Sequence, residues 1–204
     1  MMRHTSREER FASRQDLDLW ELRFAPYTAE MYDFVLERLK PTDVLLDIGA
    51  GDFRLAWAAA RKVQRVYALE VQPQLVAGFL SRVGYALPRN LQVICANALD
   101  FPFPEEITVG VLFMRHCRHF VVYFRKLEQA GARRLFTNAR WGMGVEEIDL
   151  GRPRKPFEKA APGWYACRCG TVGFKEPEDP TESFSETVQE VSHCPACLEK
   201  ELAL

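Results

Sequence analysis

Leu45–Ala60 reads LLDIGAGDFRLAWAAA. A short apolar run carrying one acid meets Gly-Ala-Gly, and an alanine-rich stretch with helical spacing follows at once. Gly49 and Gly51 lack the Cβ that would hinder a tight turn or the close approach of a bound group. Strand, glycine turn and helix in that order are the usual seat of an adenosine-bearing cofactor.

The same alternation continues on both sides. Val44–Ile48 reads as a buried strand, Phe53–Val63 as a helix, Arg65–Val71 as a second strand and Pro73–Val83 as a helix with proline in its first turn. Leu91–Ala96, Ile107–Met114 and Arg134–Asn138 read as further strands, with a helix over Arg118–Ala130. This predicts an α/β fold: a doubly wound, mostly parallel sheet with helices on both faces. Upstream, Asp16–Leu39 has helical spacing broken at Pro26, with Thr28 placed to cap the second piece and Met31, Phe34, Val35 and Leu39 on one face. Residues 1–15 read as a flexible terminus, 16–150 as the cofactor-binding domain with N-terminal helices over 16–40, and 151–204 as a connector and a small β element. The Pro-, Gly- and charge-rich run GVEEIDLGRPRKPFEKAAPGW is expected to form a short helix leading into that connector.

Composition sets outer bounds. The 204 residues are 48% hydrophobic and 27% charged with a formal net charge of −1, so no global field recruits nucleic acid or an anionic membrane. No apolar run approaches the roughly 20 residues of a membrane span, and MMRHTSREERFASRQD is too polar for a secretory signal. A cytoplasmic location is expected, where thiols stay reduced. Residues 141–204 carry 12 acidic and 7 basic side chains, net −5, leaving +4 upstream. Arg115–Arg140 holds seven Arg/Lys against one Glu and reads mostly as a solvated helix face.

A dinucleotide fingerprint needs a third glycine three residues after Gly51, but Arg54 stands there. Asp47 closes the first strand, where a negative charge suits a cationic ligand better than phosphates. Glu70 closes the second, 19 residues after Gly51, and can accept hydrogen bonds from both hydroxyls of a ribose. Asn97, in CANALDF after the third strand, offers an amide to an adenine edge. DIGAGDFRLA, Glu70 and NALDF together resemble the successive cofactor motifs of class I S-adenosylmethionine-dependent methyltransferases, over about residues 27–138. The resemblance implies that Asp47, Gly49 and Gly51 hold the methionine part, Glu70 the ribose, and Asn97 and Ala98 the adenine. Asn97 departs from the Asp common in the family. LFMRHCRHF lacks the Asn-Pro-Pro-aromatic signature of amino-methylating nucleic-acid enzymes, against a standard adenine-N6 or cytosine-N4 activity. Tyr27 is expected to cover the cofactor or else to pack in the core.

In this fold the acceptor approaches the end of the fourth strand, Met114–His119. His116 or His119 could act as base, and Arg115 or Arg118 could hold an acidic substrate group. The alternatives are a helix-capping histidine and exposed arginines. Cys95 and Cys117 read as small core residues. Cys167, Cys169, Cys194 and Cys197 form Cys-x-Cys and Cys-x-x-Cys turns 24 residues apart, a tetrahedral thiolate set suited to structural Zn²⁺ and resembling a zinc ribbon. A disulfide framework and a redox pair are the alternatives, and His193 could replace one ligand. Trp164–Cys167, Thr171–Lys175 and Thr187–His193 are expected as the last strands of the main sheet. Between the cysteine pairs, six acids from Glu176 to Glu190 face only Lys175, which disfavours a phosphate backbone. The expected activity is methyl transfer from S-adenosylmethionine, with a protein side chain as first candidate acceptor and nucleic acid less favoured. A non-catalytic scaffold acting through the ribbon and a nicotinamide oxidoreductase are the rivals.

Overall fold

The computed structural model describes residues 27–115, 117–141 and 144–197. His116 and the expected helix before Pro26 lie outside them. The main sheet has six strands in the order β3-β2-β1-β4-β5-β6. They are β1 (Val44–Ile48), β2 (Arg65–Glu70), β3 (Leu91–Cys95), β4 (Val109–Leu112), β5 (Arg134–Thr137) and β6 (Glu146–Asp149). The first five are parallel; β6 is antiparallel to β5. β1 is buried along its whole length, as an apolar strand covered on both faces must be.

Side chains alternate across that strand and split the core in two. Leu45 joins Val109, Val111 and Phe136 on the face covered by α1 (Ala29–Leu36), α2 (Arg54–Ala59) and α3 (Pro73–Val83) through Val35, Ala56 and Phe79. Leu46 and Ile48 join Leu112 and Leu135 on the face covered by α4 (Phe120–Gln129) through Phe124 and Leu127. Gly110 lets α4 sit close: a Cβ there would lie 2.6 Å from Leu127 Cδ1. The doubly wound reading therefore holds. At the amino ends of the strands, buried Asp43 meets the Arg134 guanidinium at 2.6 Å and binds β1 to β5.

Several local expectations need correction. Glu146–Asp149 forms an edge strand instead of a short helix, because its one inward residue, Ile148, is fully buried against β5 while its neighbours face out. The main sheet is thus closed before the cysteine segment begins. β7 (Gly163–Cys167), β8 (Val172–Lys175) and β9 (Gln189–Val191) make a separate three-stranded sheet, order β8-β7-β9. Thr28 stands at the N-cap of α1, but its side chain makes no capping bond. Cys95 is exposed, because β3 is the sheet edge. Of the basic run, Arg115, Arg118, Arg125 and Arg133 are exposed as expected, whereas Arg134 and Arg140 are ion-paired and mostly buried and Lys126 is tied to backbone.

Arg140 joins the two sheets. Its side chain is 1% exposed and grips Glu146 of β6 (2.8 and 2.6 Å) and Glu190 of β9 (3.0 and 2.7 Å), two oxygens each. A fork-on-carboxylate geometry of this kind fixes direction as well as distance. The knuckle is seated as closely: a Cβ on Gly170 would lie 3.0 Å from the Phe120 ring at the start of α4.

Candidate functional site

The strand order reverses between β1 and β4, so their carboxyl ends bound the crevice in which such sheets bind ligands. The glycine turn folds over this edge. Gly49 N–H (2.9 Å) and Ala50 N–H (2.8 Å) both donate to the Leu69 carbonyl. Gly49, Gly51 and Phe53 take left-handed backbone angles, φ 73°, 56° and 64°. For a bulky residue such as Phe53 that conformation is strained by about 1–2 kcal/mol. Full burial and stacking on Phe79 (4.6 Å between rings) hold it there. A Cβ on Gly49 would lie 2.2 Å from Met114 Cε, so the end of β4 rests directly on the turn.

Glu70, 3% exposed, braces the turn: Gly51 N–H and Gln72 N–H each donate to a different carboxylate oxygen at 2.9 Å. Each oxygen keeps a free lone pair for a ligand. Burial raises its pKa against the lowering effect of those amides. Asp47, 4% exposed, accepts no hydrogen bond and meets no cation among the described residues. Burial, and then the charges of Glu70 and Asp52, push its carboxyl up to about 7. Two buried carboxylates with no counter-cation among the described residues suit a cationic ligand that also carries hydroxyls. The amino acid and ribose parts of S-adenosylmethionine have that chemistry, so the residues present fit this cofactor.

The other candidate residues occupy the same edge. Asn97 Oδ1 accepts from Leu99 N–H (3.0 Å), which leaves its amide NH₂ available, and Ala98 beside it is buried. Lys126, which sequence reasoning passed over, donates to the carbonyls of Ala98, Leu99 and Phe101 at 2.7–2.9 Å and locks this loop to α4. Tyr27 O–H donates to the Phe113 carbonyl at 2.6 Å and its ring meets Phe113 edge-on at 5.1 Å, which puts it over the end of β4. Arg115 and Arg118 are exposed. His119 is exposed at the N-cap of α4 and caps nothing with its side chain. Asn138, one residue past β5, is 1% exposed, yet neither amide atom has a hydrogen-bond partner among the described residues. Orphaned buried amides are uncommon and point to a missing ligand or water. Only its place at a strand's carboxyl end could have marked it in the sequence.

The four cysteines converge. Cys167 and Cys197 sulfurs are 3.7 Å apart, Cys169 and Cys194 3.7 Å, Cys194 and Cys197 3.8 Å, with all four within 4.8 Å. Four thiolates about 2.3 Å from one tetrahedral ion stand about 3.8 Å apart, so the spacing fits Zn²⁺. It is far longer than the roughly 2.05 Å of a disulfide. Hydrogen bonding with Cys167, aided by Thr171, lowers the Cys169 pKa and favours a thiolate there.

Residues 46–137 match the family model described as "Methyltransferase domain". The probable ribosomal RNA small subunit methyltransferase A of Methanosarcina acetivorans is 38% identical over 71 residues, 35% of this chain and 26% of that protein. The dimethyladenosine transferase of Chaetomium thermophilum is 33% identical over 73 residues, 34% of this chain and 19% of that protein. The chain therefore spans only about a quarter of the length of the curated relatives it matches, or less. Among solved structures, a dimethyladenosine transferase from Plasmodium falciparum is 18% identical, with a TM-score of 0.47 over 54% of this chain and 41% of that one. The sheet with its switch between β1 and β4, the glycine turn and the family match make residues 46–137 a class I, Rossmann-like methyltransferase domain.

Proposed function

We propose that the chain is an S-adenosylmethionine-dependent methyltransferase acting on a protein side chain. The observation that carries the cofactor is the pair of buried carboxylates, Asp47 and Glu70, beside the glycine turn with no cation of the described chain to neutralise them. Bound S-adenosylmethionine supplies an electrophilic methyl group. Asp47 holds the ammonium end, Gly49 and Gly51 allow backbone approach, and Glu70 accepts from the ribose hydroxyls. The Asn97 amide and the Ala98 backbone meet the adenine. Tyr27 closes the edge against water, which an in-line transfer needs.

The acceptor enters at Met114–His119. His119 or His116 takes the acceptor's proton, and Arg115 orients an acidic group beside it. Asn138, at the neighbouring strand end, gives a donor and an acceptor to the entering group. Zn²⁺ on Cys167, Cys169, Cys194 and Cys197 is structural: it staples the small sheet, and Gly170 and Arg140 transmit that order to α4 and β6. A reducing, cytoplasmic setting suits such a site.

Support for a protein acceptor is the excess of exposed carboxylate along 176–186, which repels phosphate. The names of the curated relatives favour RNA as a second reading. Incubation with tritiated methyl donor and separated protein and RNA fractions decides between them. Label on a polypeptide supports the proposal; label on RNA alone replaces the acceptor, and label on neither with Asp47-dependent cofactor binding intact removes both acceptors.

A further inference from the structure

An aromatic row leaves the carboxyl edge of the main sheet and runs out over the small one. Trp141 lies four residues past β5, and its ring meets Trp164 of β7 at 5.9 Å. Trp164 meets its cross-strand partner Phe174 of β8 at 5.3 Å, and Phe174 meets Phe184 at 5.7 Å. The last three rings are 53%, 39% and 56% exposed. Contiguous exposed aromatics are costly in water and are the side chains that anchor partners.

The charge around the row decides what fits. The loop from Phe174 to Phe184 carries Glu176, Glu178, Asp179 and Glu182, with Glu186 just beyond, all exposed and none ion-paired among the described residues. Lys175, the one basic residue between Arg168 and His193, points its ammonium at the carbonyls of Phe157, Glu158 and Ala160 (3.4, 3.0 and 2.6 Å). Lys155 and Lys159 share a cavity with Glu178 and Glu182 without pairing to them, so the rim keeps its acidic excess chiefly through Glu176, Asp179 and Glu186. Ring faces bordered by carboxylates attract guanidinium and ammonium groups and repel a phosphate chain. Ring spacings near 5–6 Å suit an extended strand whose alternate side chains recur about every 6.6 Å.

We propose that Trp141, Trp164, Phe174 and Phe184, with their carboxylate rim, are a docking surface for a basic, extended polypeptide segment whose Arg or Lys side chains lie on the rings. The row begins at the same sheet edge as the methyl-transfer site, so a docked segment delivers the residue beside it to that site. That last clause rests on the methyltransferase reading; the docking itself does not.

The test is calorimetric titration of the full zinc-loaded chain, without cofactor, against three probes: an alternating Arg-Ser octapeptide, an alternating Glu-Ser octapeptide and a single-stranded uridine dodecamer. The Arg-Ser peptide is expected to bind saturably and to weaken with added salt. Trp164→Ala/Phe174→Ala, on exposed positions, is expected to weaken it at least tenfold with melting temperature and zinc content unchanged. Glu178→Lys/Glu182→Lys is expected to do the same through charge alone. Absence of saturable Arg-Ser binding overturns the proposal, as does binding unaffected by both double variants. Tighter binding of the dodecamer, lost in the aromatic variant, overturns it in favour of a base-stacking surface. Titration of the same samples with S-adenosylhomocysteine keeps the two readings apart, since cofactor binding survives loss of the row.

Discussion

Asp47→Asn should move stability and ligand binding in opposite directions. Among the described residues Asp47 is buried without a partner, and burial pushes its pKa up to about 7 against an ordinary 3.8. An acid whose folded-state pKa is raised contributes stability below pH 3.8 and loses it as pH rises to about 7. That displacement corresponds to about 4 kcal/mol of strain once the group is fully ionised. Asparagine keeps the shape without the charge. At pH 8 the ligand-free variant should therefore be more stable by up to about 4 kcal/mol, or roughly 10 °C in melting temperature for a chain of this size. The gain should shrink steadily on acidification and vanish near pH 4. Binding should change the other way. Losing a buried carboxylate-ammonium contact costs about 3 kcal/mol, on the order of a hundredfold in affinity for S-adenosylhomocysteine. Wild-type affinity should itself fall below pH 7 as Asp47 protonates. Thermal melts from pH 4 to 8 and parallel calorimetry check both arms. A variant that loses stability at pH 8 while binding unchanged would refute the assignment of Asp47 as an unpaired anion waiting for a cation.

Other expectations follow from single contacts. Removing Zn²⁺ with a chelator, or Cys194→Ser, should unfold β7–β9 and release one metal equivalent, read by a colorimetric zinc indicator and near-UV dichroism. Arg140→Met strands Glu146 and Glu190 together in a partly buried site and should cost about 3–5 kcal/mol in denaturant unfolding. Gly49→Ala meets both a left-handed backbone and Met114, and should cost at least about 1 kcal/mol while weakening cofactor binding, by melt and titration. Asn138→Ala removes an amide with no partner among the described residues, so stability should hold or rise by about 1 kcal/mol while kcat/KM falls. A loss of stability would show that the amide is structural.

Where local signal and tertiary role coincide, the sequence was readable. Leu45–Ala60 carried a buried parallel strand, a turn only glycine fits, and a helix, and all three formed. Glu146–Asp149 misled because an edge strand with a single buried apolar residue among acids lacks the alternation of a strand and reads as a short polar helix. Arg140 and Lys126 misled for a related reason: charge counts as solvent-facing until its partners are known, and Glu190 lies 50 residues away from Arg140. The cysteine turns were legible as a tetrahedral set because spacing alone nearly determines that geometry. Their sheet was not, since nothing local says which strands a short β segment will join. Asn138 was invisible because an orphaned amide is defined by what surrounds it.

Titration of the folded, zinc-loaded protein with S-adenosylhomocysteine, beside Glu70→Ala, tests the central claim most directly. Glu70 both braces Gly51 and presents its remaining lone pairs at the crevice. The account predicts saturable binding near the micromolar range, about −8 kcal/mol, weakened at least tenfold in the variant. No binding to a correctly folded wild-type chain, or equal binding to both proteins, would contradict it.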